Sequence, residues 1–234
     1  MAILTVFFQM LSLLIMIGAG WFMARKGMMD EHTNTQMSKM IVNVFNPMLM
    51  ISSAAGSVGL IPLSTIVLVG LIAIGMFAIL IAAGMILSPL FERQPDQKKI
   101  FQMMFVFSNL GFIGIPVVGS ILGTQYVVYV TEFLLLYTIV FYTYGVALMD
   151  GKFSLSSLKA MVNPGLISGL AAVLIIVLNI PLPGFLMTAV TYLGNVTSPM
   201  ALVAVGFALA HTDPKRIFCQ PKLYVFSAVK LLAL

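Results

Sequence analysis

Charged residues are scarce in this sequence. Only 8% of its 234 residues are Asp, Glu, Lys or Arg, whereas 61% are hydrophobic. A water-soluble domain usually carries about 25% charged residues, so the composition excludes soluble enzymes, nucleic-acid-binding domains and coiled coils. The net charge of +5 does not indicate a nucleic-acid partner, because excess Lys and Arg are typical of the cytoplasmic loops of membrane proteins.

Cysteine and histidine are also rare. The single cysteine, Cys219, excludes an intramolecular disulfide. His32 and His211 fall in charged loops without a cluster of Cys, Asp or Glu, so neither a metal site nor another cofactor is expected. The sequence has no G-x-x-x-x-G-K-[ST] motif, which argues against transport driven by ATP within this chain.

Long apolar runs make up most of the chain, and a helix needs about 20 apolar residues to cross the hydrocarbon core. The first run lacks a basic n-region and is too long for a signal peptide, so we interpret it as a span. The sequence therefore predicts an all-α polytopic membrane protein. The predicted spans are 3–24, 37–56, 62–89, 100–121, 126–148, 162–180 and 184–210, with an eighth beginning near Leu223.

The basic residues alternate between loops. Eleven of the twelve Lys and Arg residues follow spans one, three, five and seven, and the intervening loops have none. The positive-inside rule assigns the basic loops to the cytoplasm. We therefore expect a multi-pass protein of the cytoplasmic membrane with its N-terminus outside.

Two similar hexapeptides indicate an internal repeat. NVFNPM begins at Asn43 and NVTSPM begins at Asn195, an offset of 152 residues, and four of the six residues are identical. Five spans per half would invert the second half, and inverted repeats are typical of secondary transporters. We predict a first five-helix repeat at 1–150 and a partial second repeat at 151–234. At this offset the second repeat would extend past Leu234, so we expect a C-terminally truncated sequence.

The stretch SNLGFIGIPVVGS, from Ser108 to Ser120, is the strongest candidate for a binding motif. It places Asn109, Gly111, Gly114 and Pro116 in an apolar span, although Gly and Pro weaken helices most. A broken helix in lipid is tolerated only against protein or a wet cavity, and its N-terminal end favours an anion. The alternative is a Pro-kinked helix with glycines for close packing.

The two hexapeptides supply a second set of candidates. Their polar residues and prolines could line a substrate cavity, or they could belong to kinked scaffold helices with Asn side chains bonding between helices. These candidates are Asn43, Asn46, Pro47, Asn195, Ser198 and Pro199.

Two charged side chains fall inside predicted spans beyond their first turn. Glu132 is the only carboxylate there, and such groups are costly and usually functional. We consider it a candidate for proton coupling or gating, or a group that reaches interfacial water. Lys230 is the only cation there, and it either pairs with a carboxylate or snorkels. Because the spans hold one carboxylate and no His or Cys, an enzyme is not expected.

Three segments resemble the auxin efflux carrier family. They are SNLGFIGIP in span four, GWFMARKGMMDE from Gly20 to Glu31, and MSKMIVNVFNPMLM from Met37 to Met50. The family includes bacterial permeases for malate and malonate and the plant auxin carriers. The resemblance implies ten spans in two inverted repeats, and spans four and nine that cross at prolines where a carboxylate binds. Asn109 and Pro116 are the matching residues here, and the resemblance also suggests a homodimer.

The leading hypothesis is a secondary active transporter of small organic anions that works by alternating access. The alternative is a truncated, non-transporting membrane subunit or sensor fragment. This alternative gains from the missing ninth span, without which the expected crossover is incomplete.

Overall fold

The computed structural model describes residues 2–60, 62–108, 110–123, 126–150, 162–213 and 219–233. Every regular element in these ranges is helical, which confirms the predicted all-α class. The α-helices are α1 (Ala2–Arg25), α2 (Glu31–Met40), α3 (Asn46–Gly56), α4 (Leu63–Phe91), α5 (Pro95–Val106), α6 (Ile115–Ile121), α7 (Val127–Val140), α8 (Val146–Asp150), α9 (Pro164–Val177), α10 (Gly184–Asn195), α11 (Thr197–Ala210) and α12 (Pro221–Ala233). The π-helical turns are Ile41–Phe45, Leu110–Gly114 and Phe141–Gly145.

Four helical stretches in the described ranges are long and apolar enough to cross a membrane: Val6–Arg25, Ser64–Phe91, Val127–Met149 and Gly184–Ala210. Large apolar side chains also cover their outer surfaces. Ile15 is 65% exposed. Such a surface is costly in water and suited to lipid. The chain is therefore a multi-pass membrane protein.

Two helices end in the turn chemistry that their sequences predict. α1 ends at Gly27, which has a φ of 69°, and the Met28 amide donates to the Met23 carbonyl at 3.0 Å. α9 ends at Asn179, which has a φ of 53°. Both are Schellman caps, in which a residue that tolerates left-handed backbone reverses the chain and satisfies terminal carbonyls. They mark the predicted ends of spans one and six.

The helices separate into two compact units that interleave along the chain. The first unit comprises Met1–Val69, Asn109–Leu135 and Val162–His211. The second unit comprises Gly70–Ser108, Leu136–Met161 and Thr212–Leu234. Each unit thus takes residues from both predicted repeats, and the boundary near residue 150 stays a prediction from the sequence.

In the first unit, α1 packs lengthwise against α11 through two glycines. A β-carbon on Gly20 would lie 2.8 Å from the backbone Cα of Val203, besides meeting its carbonyl oxygen. A β-carbon on Gly206 would lie 2.8 Å from the Trp21 amide nitrogen. The contact is therefore backbone against backbone, the arrangement that small residues permit between membrane helices.

Glycines also bring α3 close to α9 and α10 within the first unit. A β-carbon on Gly194 would lie 2.8 Å from the Leu49 Cα, and one on Gly169 would lie 2.7 Å from Leu135 Cδ1 and 3.1 Å from Met50 Cε. Gly165 and Gly169 form a GxxxG pattern in span six, and Gly169 serves close packing here. These approaches fix the position of α3 beside α10.

The second unit has an aromatic core. Phe91, Phe101, Phe105 and Phe226 form edge, tilted and stacked pairs, with Phe105 and Phe226 ring centroids 4.6 Å apart. Rings at these distances attract each other beyond their buried area. The cluster joins the end of α4, the middle of α5 and the start of α12.

An ion pair lies beside this aromatic core, outside the spans. Lys222 Nζ is 2.6 Å from Glu92 Oε2 and lies over the Phe101 ring, 5.0 Å from its centroid. The hydrogen bond from Lys222 lowers the pKa of the Glu92 carboxyl, and the backbone amides of Gln94 and Arg93 lower it further. The pair is partly exposed, with 19% of the Glu92 side chain accessible.

The lowered pKa of Glu92 predicts a pH dependence for this unit. A carboxyl whose pKa is depressed on folding stabilises the fold fully above its unfolded pKa of about 4.5, and this contribution is lost as pH falls through the folded value. We expect Lys222→Met to lower the melting temperature near pH 7. We also expect the melting temperature of this variant to decrease less than that of the parent as the pH is lowered from about 5 to about 3. Arg93→Gln is the control. If the melting temperatures of the parent and both variants decreased equally as the pH is lowered, the stabilising role of the Lys222–Glu92 pair would be contradicted.

Candidate functional site

The first unit contains a cavity of about 650 Å³. This is within the range of about 300–1,000 Å³ that is usual for small-molecule sites. Its walls come from α3 and the turn after it, from α6 and the start of α7, and from α10 and the start of α11. The lining residues are Leu49, Ser52, Ser53, Gly56, Leu60, Ile115, Gly119, Val127, Met187, Thr191, Gly194, Asn195 and Ser198.

Five of the lining side chains carry hydroxyl or amide groups. Ser52 donates to the Leu49 carbonyl at 3.0 Å, so its donor is already used. The side chains of the other four make no hydrogen bond within the described part of the chain; they are Ser53, Thr191, Asn195 and Ser198. Polar groups in a membrane protein normally find partners, so these four are available to a ligand or to water.

The helical hydrogen-bond pattern is interrupted for one residue where Asn195 and Ser198 face the cavity. α10 ends at Asn195, the single residue Val196 follows, and α11 begins at Thr197. Pro199 has no amide hydrogen, so the Asn195 carbonyl lacks the donor that residue i+4 supplies in a helix. The interruption at Val196 therefore offers the side-chain amide of Asn195. It also leaves the backbone carbonyl of Asn195 without the hydrogen bond that residue 199 would otherwise donate.

The family model described as membrane transport protein matches residues 5–156 and 152–234 of the chain. The chain belongs to the auxin efflux carrier family of membrane transport proteins. This confirms the resemblance found in the sequence, and the family is one of transporters rather than enzymes. No curated protein and no solved structure is significantly similar to the chain.

In this transporter, the predicted crossover motif of span four is only partly described. Asn109 and the side chain of Pro116 lie outside the described residues. Gly111 and Gly114 lie in or at the end of a π-helical turn and face α7, where added β-carbons would lie 3.5 Å from Leu134 and 3.7 Å from Val130. These two glycines are not among the cavity lining, whereas their neighbours Ile115 and Gly119 are.

The described interruption in span four begins before Pro116. α5 ends at Val106, and Phe107 has extended backbone with φ −103° and ψ 114°. Helical backbone resumes at Leu110, and Pro116 is the second residue of α6. The π turn shifts the hydrogen-bond register ahead of the proline, which lets the helix accommodate a residue without an amide hydrogen.

The two similar hexapeptides fold differently. Asn43 lies in a π turn, is exposed, and donates from Nδ2 to the Lys39 carbonyl at 2.8 Å. The backbone amide of Asn46 donates a hydrogen bond to the Ile41 carbonyl, five residues earlier in the chain. Pro47 is buried at the start of α3. None of these three side chains lines the cavity. Their repeat partners Asn195 and Ser198 do line the cavity. Pro199, the repeat partner of Pro47, does not, but its missing amide hydrogen leaves the Asn195 carbonyl without a helical donor.

Sequence reasoning missed Ser52, Ser53 and Thr191. A signal was present, because Thr191, Asn195 and Ser198 follow the spacing i, i+4, i+7 and so form one polar stripe on an otherwise apolar span. Ser52 and Ser53 break the apolar run of span two in the same way. Periodicity of polar residues is thus as informative in a membrane helix as periodicity of apolar residues in a soluble one.

Glu132 lies on α7, half-buried, away from the cavity described above. It borders a space of about 10 Å³ together with Thr131, Gly169 and Ala172. A space of this volume holds about one water molecule. The Glu132 side chain is therefore half-buried beside α9, which supplies Gly169 and Ala172.

We expect Glu132→Gln to lower uptake about tenfold and to flatten its pH profile if Glu132 carries a coupled proton. The measurement is substrate uptake into proteoliposomes between pH 5 and 8. Thr131→Val is the matched control, because it changes the same small space without changing charge. An unchanged rate and pH profile in Glu132→Gln would remove Glu132 from the mechanism.

Proposed function

We propose that the protein is a secondary active transporter of small organic anions, mono- or dicarboxylates, across the cytoplasmic membrane by alternating access. The observation that carries the proposal is the cavity of about 650 Å³, in which four hydroxyl and amide side chains have no hydrogen-bond partner among the described residues. Family membership supports the coarser statement that it is a membrane transporter.

The chemistry of the lining favours a carboxylate ligand. The Asn195 amide offers two donors, and the hydroxyl groups of Ser53, Thr191 and Ser198 offer one each. Hydrogen bonds to an ionised acceptor are about twice as strong as neutral ones. None of the thirteen lining residues is Asp or Glu, so an entering anion meets no like charge.

The absence of Lys and Arg from these thirteen residues also suits a carrier. A cation in the lining would bind a carboxylate tightly and slow its release. Conduction and transport require binding that is strong enough for entry and weak enough for exit. Neutral donors, with apolar walls from Leu49, Ile115 and Val127, meet both requirements for a small anion.

The end of α1 supports the proposed orientation. Arg25 lies over the Trp21 ring at 5.5 Å, and Lys26 lies over the Phe22 ring at 5.8 Å. An excess of basic side chains is typical of the cytoplasmic side, whereas aromatic side chains such as Trp are typical of both membrane interfaces. This supports our proposal that the N-terminus lies outside.

The test is uptake of labelled malate or malonate into proteoliposomes that contain the purified chain. If the reading frame continues beyond residue 234, a second preparation includes the residues that it encodes. We expect saturable uptake by at least one preparation, competition by other small carboxylates and none by a neutral sugar. Absence of carboxylate uptake in both preparations would contradict the proposal and favour a non-transporting subunit.

A further inference from the structure

Lys230 makes an unexpected contact in the second unit. It lies half-buried on α12, and its Nζ donates a hydrogen bond to the backbone carbonyl of Met104 in the last turn of α5. Within the described residues it forms no ion pair. From the sequence, Lys230 was expected either to pair with a carboxylate or to snorkel. The structure shows instead a hydrogen bond to a backbone carbonyl.

The Met104 carbonyl needs this donor because α5 stops at Val106. The Phe107 amide still reaches back to the Met103 carbonyl at 2.9 Å. The next helical donor would be the Ser108 amide, but Ser108 has left the helix and makes no such bond in the described backbone. An unpaired carbonyl within a membrane protein costs several kcal/mol, so Lys230 replaces a lost helical hydrogen bond.

The charge of Lys230 suits this position as well. Backbone dipoles give the C-terminal end of a helix a partial negative charge, which a nearby cation stabilises. The charged residues at the start of α5, Asp96 and Lys99, pair with each other at 3.6 Å and lie eight and five residues before Met104. They do not neutralise Lys230, whose ammonium group remains available to the helix end.

The position of Lys230 is set by the face of α12 on which it lies. Lys222, Phe226 and Lys230 follow each other at intervals of four residues, so they form one stripe on the helix. The stripe contacts Glu92 at one end, packs Phe226 into the aromatic cluster, and reaches Met104 at the other end. The aromatic packing therefore brings the ammonium group to the break.

We propose that Lys230 is a positioning residue of the transporter, a tethered cation that caps the C-terminal end of α5 and holds the start of the SNLGFIGIP segment in place. Its effect on transport rests on the proposed function. Its effect on the helix end does not, and the two can be measured separately.

The first measurement is hydrogen–deuterium exchange of the full chain in lipid nanodiscs, which needs no substrate. We expect Lys230→Met to accelerate exchange about tenfold in the last turn of α5 and at Phe107 and Ser108. Lys230→Arg keeps a cationic donor and should exchange like the parent. Lys222→Met, on the same stripe, should leave these amides unchanged. Equal exchange in Lys230→Met and the parent would overturn the cap.

The second measurement is uptake of whichever organic anion the parent transports. We expect Lys230→Met to lower the maximal rate about tenfold with KM within about threefold, and Lys230→Arg to restore the rate. If Lys230→Met is not recovered from membranes, Lys230→Gln takes its place in both measurements. A maximal rate within about twofold of the parent, despite faster exchange, would overturn the positioning role.

Discussion

Gly20→Ala is expected to destabilise the first unit strongly. The new β-carbon would meet the backbone of Val203, which cannot rotate away as a side chain can. Overpacking a core costs about 1–3 kcal/mol and occasionally more, and a clash of two helix backbones belongs at the upper end. We expect a clearly lower melting temperature and a poor yield of monodisperse protein in detergent.

The matched control for this prediction lies two residues earlier in the same helix. Gly18 has no heavy atom within 4 Å of the position of an added β-carbon. Because alanine favours a helix by about 1 kcal/mol over glycine, Gly18→Ala should melt at or slightly above the parent. Gly206→Ala should resemble Gly20→Ala. Equal melting of the Gly18 and Gly20 variants would contradict the close packing of α1 and α11.

The second large effect concerns the cavity. We expect the double variant Asn195→Ala, Ser198→Ala to lower kcat/KM for organic anion uptake about a hundredfold, because each lost donor costs roughly 1–2 kcal/mol. Neither side chain has a hydrogen-bond partner within the described residues, so little stability should be lost. Uptake into proteoliposomes and melting in detergent measure the two quantities separately.

Asn43→Ala is the control for the cavity variant. Asn43 matches Asn195 in the hexapeptide repeat, but it is exposed and bonded to the Lys39 carbonyl. Uptake by this variant should stay within about twofold of the parent. Equal losses in the Asn43 and Asn195 variants would show that the hexapeptides act as a symmetric pair. Uptake that is unaffected by the double variant would exclude the cavity as the substrate site.

The fold class and most helix boundaries could be predicted from the sequence. They depend on the overall composition and on residues close together in the chain. Charge scarcity and apolar run length identify a helical membrane protein whatever its tertiary contacts. Gly27 and Asn179 end helices because few residues adopt left-handed backbone easily. Asn195 and Ser198 were recognised through a repeat, and they do line the cavity.

The features that the sequence did not predict depend on distant contacts. Phe107 and Ser108 carry no breaking signal, yet the described interruption lies there and not at Pro116. Lys230 and Met104 are 126 residues apart, so their bond cannot be inferred from spacing. The π turns also have no recognisable signal in the sequence. The one-residue shift in their hydrogen-bond register is determined by packing and not by the helix propensity of the residues.

The glycines of the SNLGFIGIPVVGS stretch have a mechanical consequence. Gly111, Gly114 and Gly119 lie against Leu134, Val130 and Val127 of α7 in reverse order along the helix, at 3.3–3.7 Å from an added β-carbon. Interlocked side chains resist sliding, because each must leave its hole before the helix can advance. A strip without side chains offers no such obstacle. We therefore expect small axial displacements of this segment along α7 to meet a lower barrier than displacements between interlocked side chains would.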